Sequence, residues 1–91
     1  MRMDGKNALI TGGSMGLGVA IAESFVKAGA NVALVARRDG PLADAKARVL
    51  AAAPSAKVIT VAADVATAEG CKRAFDATVA GLGSLDVLVN N

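Results

Sequence analysis

The sequence of 91 residues contains no histidine, no tyrosine and no tryptophan. Without histidine, the chain cannot supply a histidine-containing metal site, a Ser-His-Asp triad or an imidazole general base. Its only aromatic residues are Phe25 and Phe75, which are too few to form the stacking platforms that bind single-stranded nucleic acid. These absences remove several classes of enzyme, and we predict neither a metal site nor a nucleic-acid partner.

Cysteine and long apolar runs are also scarce. The single cysteine, Cys71, excludes an internal disulfide. We expect it to be a small buried packing residue, because no imidazole is present to activate its thiol. No apolar run approaches the roughly 20 residues that cross a bilayer, and no apolar signal segment follows the charged N-terminus. We therefore expect a cytoplasmic protein without a membrane segment.

Apolar residues are plentiful, at 54% of the chain, whereas charged residues make up 20%. A chain of this composition cannot leave its apolar surface in water, so a disordered tail is excluded. Ten basic and eight acidic residues are interspersed, and the resulting charge of +2 is weak evidence for a polyanionic partner. The length allows at most one small globular domain.

The hydrophobic pattern changes period several times, and the changes fall at residues typical of turns and helix starts, such as Gly12, Gly29, Asp39 and Pro54. Short apolar runs predict strands covered on both faces, and apolar residues at helical spacing predict helices between them. Helical crossovers between such strands imply a parallel sheet with right-handed connections. The sequence therefore predicts a doubly wound α/β fold in the order β-α-β-α-β-α-β. The predicted strands are 7–11, 31–36, 57–62 and 85–89, and the predicted helices are 17–28, 39–53 and about 68–80, the last with Cys71, Phe75, Thr78 and Val79 on one side.

Residues 11–18, with the sequence Thr-Gly-Gly-Ser-Met-Gly-Leu-Gly, lie between the first strand and the first helix. Gly12 allows a sharp turn, Gly16 allows the backbone to approach a pyrophosphate, and Gly18 allows the helix to pack closely. The start of the helix offers unpaired N–H groups and partial positive charge to an anion, and Ser14 adds a hydroxyl. A tight turn without a ligand is the alternative interpretation. A P-loop is disfavoured, since no Lys-Ser or Lys-Thr follows.

The second strand ends in Ala36-Arg37-Arg38. Folds that bind NAD usually place Asp or Glu here, about 20 residues beyond the glycines, to bind the ribose 2′-hydroxyl. A guanidinium instead binds a 2′-phosphate through two charge-assisted hydrogen bonds. The residues favour NADP over NAD, with Arg37 as the first candidate and Arg38 as the second. The alternative is a solvated loop in which Arg38 pairs with Asp39.

Asp64 and Val65 follow the third strand, at the edge of the sheet where a ligand of this fold lies. The Asp64 carboxylate can accept a hydrogen bond from an adenine amino group, and the next backbone N–H can donate to a ring nitrogen. An Asx turn or a helix-entry residue explains the same carboxylate without a ligand.

Taken together, these residues resemble the opening half of a short-chain dehydrogenase/reductase. Residues 11–18 are similar to the T-G-x-x-x-G-x-G turn of that family, and Asp64-Val65 is similar to its D-V pair. Residues 83–91 are similar to its G-x-hydrophobic-D-x-L-V-N-N-A-G segment, up to the second Asn. Within the family, the pattern is similar to 3-oxoacyl-carrier-protein reductases.

The resemblance implies a Rossmann-type sheet of strand order 3-2-1-4, NADP as the cofactor, and hydride transfer between its nicotinamide and a small carbonyl or alcohol substrate. Family members are commonly homo-oligomers. Met15 departs from the pattern, because many NADP-dependent members carry Arg or Lys at this position. The implied cofactor-binding residues are Gly12, Ser14, Met15, Gly16, Leu17, Arg37, Arg38, Asp64, Val65 and Asn90.

The catalytic Ser, Tyr, Lys and a further Asn of the family all follow its N-N-A-G segment. Residues 1–91 are thus expected to be a dinucleotide-binding half that is truncated before the catalytic segment, with no catalytic residue and no activity alone. The fourth strand becomes an edge, which predicts self-association or marginal stability. A non-catalytic dinucleotide-binding or sensor module is the alternative function. A fragment that keeps the glycine turn for packing alone is a third.

Overall fold

A computed structural model describes all of residues 1–91. Strands and helices alternate along the whole chain, in the predicted order. None of the helices has the length and apolar character needed to cross a membrane. The strands are β1 (Asn7–Thr11), β2 (Asn31–Ala36), β3 (Val58–Ala62) and β4 (Val87–Val89), and the helices are α1 (Gly16–Lys27), α2 (Asp39–Ala52) and α3 (Ala68–Leu82).

The four strands form one parallel sheet in the order β3-β2-β1-β4, which confirms the predicted topology. Asn7 of β1 lies opposite Asn31 of β2, and Ala8 lies opposite Val87 of β4. Because the strands are parallel, their carboxyl ends meet at one edge of the sheet, and the loops that enter the helices lie together there. The sheet is the Rossmann-type arrangement that the sequence predicted.

Helices cover both faces of the sheet. Alternate residues of β1 point to opposite faces, so that Ile10 packs with Val19 of α1 and Leu42 of α2, whereas Leu9 packs with Ala74 of α3. The strands are therefore buried on both sides, as their nearly continuous apolar sequence indicates.

Of the side of α3 predicted from the sequence, Thr78 is buried as expected, but Cys71 and Phe75 are not. Gly70, Ala74 and Thr78 are buried, whereas Cys71 and Phe75 are exposed. A Cβ at Gly70 would overlap the carbonyl oxygen of Asp64, so the helix approaches the chain too closely for large side chains. The expectation that Cys71 is buried is therefore wrong; its thiol lies at the surface, 3.0 Å from the Val65 carbonyl oxygen.

The amino end of the sheet is held by a network of polar side chains, which we call the amino-end network (Asn7, Asn31, Ser84 and Asp86). The buried Asn7 amide donates to the Leu82 carbonyl at 3.1 Å and to Ser84 Oγ at 3.0 Å, and its oxygen accepts from Asn31 Nδ2 at 3.1 Å. The Asp86 carboxylate accepts from the Asn7 backbone N–H at 2.9 Å. These bonds tie β2 and the approach to β4 to the start of β1, and β4 begins at residue 87 rather than at the predicted 85.

The two edges of the sheet differ in protection. At the β3 edge, the guanidinium of Arg73 donates from Nε to the Ala62 carbonyl oxygen at 2.9 Å and so blocks a strand-pairing group. At the β4 edge, Leu88 is 60% exposed, and the neighbouring Phe75 of α3 is 51% exposed. Leu88, Phe75 and Cys71 line one apolar groove beside this strand. The β3 edge is therefore guarded, and the β4 edge is open.

Candidate functional site

The turn between β1 and α1 depends on two glycines with left-handed backbones. Gly12 has φ +63° and Gly16 has φ +56°, a conformation that side chains with a Cβ rarely adopt. Apart from its chain neighbours and the backbone of its own helix, no atom lies within 4 Å of the position that a Cβ would take at Gly16. The backbone at the start of α1 thus borders open space, which is what the approach of a ligand requires.

Gly18 of α1 and Asn91, which follows β4, both contact this turn. A Cβ at Gly18 would overlap the Gly12 carbonyl oxygen, so close contact between α1 and the turn needs glycine, as predicted. The Asn91 side chain donates to the same carbonyl at 3.3 Å, and the Asn91 N–H donates to Thr11 Oγ1 at 3.1 Å. Thr11 and Asn91 were missed as site residues. The Asn90-Asn91 pair could have indicated Asn91, but in the sequence it supported only the family resemblance and the role of Asn90.

The N-termini of the helices are capped differently. The N-cap of α3 is Thr67, whose hydroxyl accepts from the Gly70 N–H at 2.9 Å. The N-caps of α1 and α2 are Met15 and Arg38, and neither side chain accepts a hydrogen bond from its helix. The first N–H groups of a helix need a partner, and a side-chain cap is one common source. No side chain therefore occupies the first amides of α1, or those of Asp39 and Gly40 in α2, where Pro41 has no N–H, and these amides can donate to an anion.

These two helix starts border a cavity of about 530 Å³. Arg37 and Arg38 line it, and neither forms a salt bridge anywhere in the chain, although three other basic residues do. The alternative in which Arg38 pairs with Asp39 is therefore wrong. Unpaired guanidinium groups beside free helix amides make this cavity electropositive and suited to phosphate. Its lining is Ser14, Met15, Ala36, Arg37, Arg38 and Pro41.

A second cavity of about 320 Å³ adjoins the first, and Arg37 lines both. Asp64 and Val65 form one side of it, and Asn90 lies opposite, beyond β4. Asp64 Oδ1 accepts from the Ala66 N–H at 3.0 Å, so the Asx turn considered from the sequence is present. Asp64 Oδ2 makes no hydrogen bond within the chain, and the carboxylate keeps one oxygen for a ligand.

The structure thus brings most of the predicted cofactor residues to one edge of the sheet. Gly16 and Leu17 line neither cavity; they lie at the exposed start of α1, where the Leu17 side chain is 66% exposed. The cavities are open, which the cofactor hypothesis required. The predicted residues that line them are Gly12, Ser14, Met15, Arg37, Arg38, Asp64, Val65 and Asn90.

Comparison with protein families gives one match over nearly the whole chain. The family model for short chain dehydrogenase matches residues 6–91. The chain belongs to the short-chain dehydrogenase family. An 11-beta-hydroxysteroid dehydrogenase of Pinus massoniana is 47% identical to this short-chain dehydrogenase chain over 91 residues, which cover 98% of the chain and 25% of the relative. The predicted family is confirmed, and the family is one of oxidoreductases.

Solved structures have the same fold, and two of them contain a nicotinamide cofactor. L-Sorbose reductase from Gluconobacter frateurii, complexed with NADPH and L-sorbose, is 43% identical, with a TM-score of 0.93 over the full chain and 34% of its own length. NAD⁺-bound xylitol dehydrogenase is 26% identical, with a TM-score of 0.89 over 97% of the chain and 33% of its own length. This short-chain dehydrogenase chain therefore spans about a quarter to a third of the proteins that it resembles. A nicotinamide cofactor is common to both structures.

Proposed function

We propose that residues 1–91 are the NADP-binding half of a short-chain oxidoreductase. The observation that carries this proposal is the pair of unpaired guanidinium groups, Arg37 and Arg38, in a cavity between two uncapped helix N-termini. An acidic residue at the end of β2 would favour NAD, and Ala36 stands there instead. Phosphate is the group whose charge and geometry match this arrangement.

Each part of the cofactor has a proposed partner. The free amides at the start of α1, beside Gly16 and Leu17, would hold the pyrophosphate. Arg37, Arg38 and Ser14 would bind the 2′-phosphate, and Met15 would cover it from the glycine turn. Asp64 Oδ2 and the Val65 N–H would hold the adenine, with Gly12 and Asn90 beside the ribose. The two joined cavities provide a path along the carboxyl edge of the sheet for these groups.

Bound NADP would supply or accept hydride at its nicotinamide ring, with a small carbonyl or alcohol compound as the substrate of the whole protein. The residues of this chain bind and orient the cofactor, and none is proposed to touch the substrate. We propose that the chain is inactive by itself, that its catalytic Ser, Tyr and Lys belong to a following segment, and that the whole protein is a cytoplasmic homo-oligomer. A non-catalytic dinucleotide sensor would use the same site; a Tyr-x-x-x-Lys downstream in the gene would favour the oxidoreductase.

Titration of the isolated chain with NADPH and NADH, followed by nicotinamide fluorescence, tests the cofactor. We expect NADPH to bind more tightly, and Arg37→Asp to weaken NADPH at least about tenfold, because charge-assisted hydrogen bonds to phosphate are lost. NADH, which has no 2′-phosphate, should be spared. Arg2→Asp makes the same charge change in an exposed residue outside both cavities and should leave both affinities unchanged. Equal losses of NADPH and NADH in Arg37→Asp would refute the role of Arg37.

A further inference from the structure

Met15 is an exposed thioether in an electropositive cavity. Its side chain is 68% exposed and shares the larger cavity with Arg37 and Arg38. The other two methionines lie elsewhere: Met3 is partly buried, and Met1, although 79% exposed, borders neither cavity. Exposure makes a thioether accessible to oxidants, and only at Met15 would the product lie where the cofactor is proposed to bind.

We infer that Met15 is an oxidative modification site, at which a peroxide converts the thioether into a sulfoxide and thereby weakens NADPH binding. The inference rests on the proposed NADP function. In the reaction, a lone pair of Met15 Sδ attacks one peroxide oxygen, the S–O bond forms and the O–O bond breaks. The departing oxygen takes a proton and leaves as water or an alcohol. The sulfur is oxidised by two electrons and the peroxide is reduced by two.

The consequence follows from what the new oxygen can accept. A thioether sulfur is a weak hydrogen-bond acceptor, whereas a sulfoxide is polar. The guanidinium groups of Arg37 and Arg38 have no partner within the chain, so their N–H groups are available to the sulfoxide oxygen in the same cavity. Donors engaged in this way are withdrawn from the 2′-phosphate. NADH makes no use of those donors, so oxidation should reduce the preference for NADPH over NADH.

The test compares the chain before and after hydrogen peroxide, which is removed with catalase before titration, while mass spectrometry of peptides locates the added oxygen. We expect oxidised protein to bind NADPH about tenfold more weakly, with a smaller change for NADH, and methionine sulfoxide reductase to restore the original affinity. Saturating NADP⁺, which peroxide does not consume, should slow the oxidation of Met15, because a bound cofactor would cover it.

Met15→Leu keeps Met1, Met3 and the exposed Cys71 as oxidation sites. Whatever its starting affinity, this variant should titrate identically before and after peroxide. An equal loss in Met15→Leu, unchanged affinity of the oxidised wild-type chain, or equal losses of NADPH and NADH would each overturn the inference while leaving the proposed function intact. Failure of the untreated chain to bind NADPH would overturn the proposed function, and the inference with it.

Discussion

The two ends of the same sheet differ in how many of their polar side chains find partners within the chain. In the amino-end network, the Asn7 side chain uses both of its amide donors and its oxygen within the chain. At the carboxyl end, Arg37 and Arg38 have no salt-bridge partner, and one Asp64 oxygen has no donor. Thr11 and Asn91, also at the carboxyl end, are hydrogen-bonded within the chain. The amino-end network is therefore saturated, whereas the carboxyl end combines bonded groups with exposed groups that have no partner.

This difference distinguishes residues whose hydrogen bonds stabilise the fold from exposed residues whose hydrogen-bonding groups are proposed to bind a ligand. A buried polar group without a partner costs free energy, so a saturated network contributes to stability only while every member is present. Exposed, unpaired groups contribute little to folding and keep their hydrogen-bonding capacity for binding. The variants below test that division, in order of their expected effect on the free energy of unfolding.

Asn7→Leu should give the largest effect, because it breaks the amino-end network at its centre. It removes three side-chain hydrogen bonds and leaves the Asn31 amide and the Leu82 carbonyl without their partner. We expect a loss of about 3 kcal/mol in the free energy of unfolding, measured by urea denaturation. Asn90→Leu, at the carboxyl end, is the matched control and should lose less, because the Asn90 side chain makes one hydrogen bond, accepted from Thr11 Oγ1 at 3.2 Å, rather than three. A loss below about 0.5 kcal/mol for Asn7→Leu would show that the network is not structural.

Thr67→Ala removes the one helix cap that a side chain provides. The Gly70 N–H loses its acceptor, and we expect the free energy of unfolding to fall by about 1 kcal/mol. Thr67 lines neither cavity, but its hydroxyl also donates to the Asp64 carbonyl oxygen at 2.9 Å, so NADPH affinity should fall by much less than in an Arg37 variant. Thr60→Ala, an exposed threonine on β3, controls for loss of a threonine as such. A loss of NADPH affinity as large as that in Arg37→Met would contradict the separation between capped and uncapped helices.

Met15→Asp adds to α1 the cap that it lacks. An N-cap carboxylate should stabilise the chain by several tenths of a kcal/mol to about 1 kcal/mol, because it accepts from the free amides and opposes the positive end of the helix. The same carboxylate should weaken both cofactors, because it occupies the amides proposed for the pyrophosphate. It should weaken NADPH more than NADH, because it also lies in the cavity of the guanidinium groups proposed for the 2′-phosphate. Thermal melts and paired titrations measure the two effects. Greater stability with unchanged binding would remove the α1 amides from the proposed site.

Arg37→Met should have the smallest effect on folding. Arg37 is exposed and forms no salt bridge, so we expect the free energy of unfolding to stay within about 0.5 kcal/mol of the wild-type value. NADPH affinity should still fall about tenfold. Urea denaturation and fluorescence titration on the same protein sample show whether the effects separate. A large loss of stability would mean that Arg37 has a structural partner.

The fold was predictable because its determinants are local. Short apolar runs predicted β1 to β3 within one residue, and the family resemblance predicted the sheet order. The glycine turn could also be read in advance, since the roles of Gly12, Gly16 and Gly18 follow from backbone geometry. The family motifs predicted that Asp64 and Asn90 lie near that turn, and both residues line the smaller cavity.

The face of α3 could not be predicted from hydrophobicity. Large apolar residues such as Phe75 suggest the buried side, but this helix lies so close to the chain that only small residues fit, as Gly70 and Ala74 show. Likewise, nothing in the sequence indicates that Arg38 forms no salt bridge with the adjacent Asp39. Nor does it indicate that one Asp64 oxygen accepts a hydrogen bond in a turn while the other accepts none. Those outcomes depend on the directions of side chains, which spacing along the chain does not encode.

The two edges of the sheet are protected differently, because Arg73 covers a carbonyl of β3, and this difference affects how copies of this chain can associate. Two molecules could pair through their β4 strands around a twofold axis. The only sheet edge left unpaired on each molecule would then be β3. The Arg73 guanidinium on that margin already occupies a carbonyl that a third molecule would need. Addition at that margin should therefore be weaker than the first pairing, so we expect dimers to form before larger assemblies as the concentration rises.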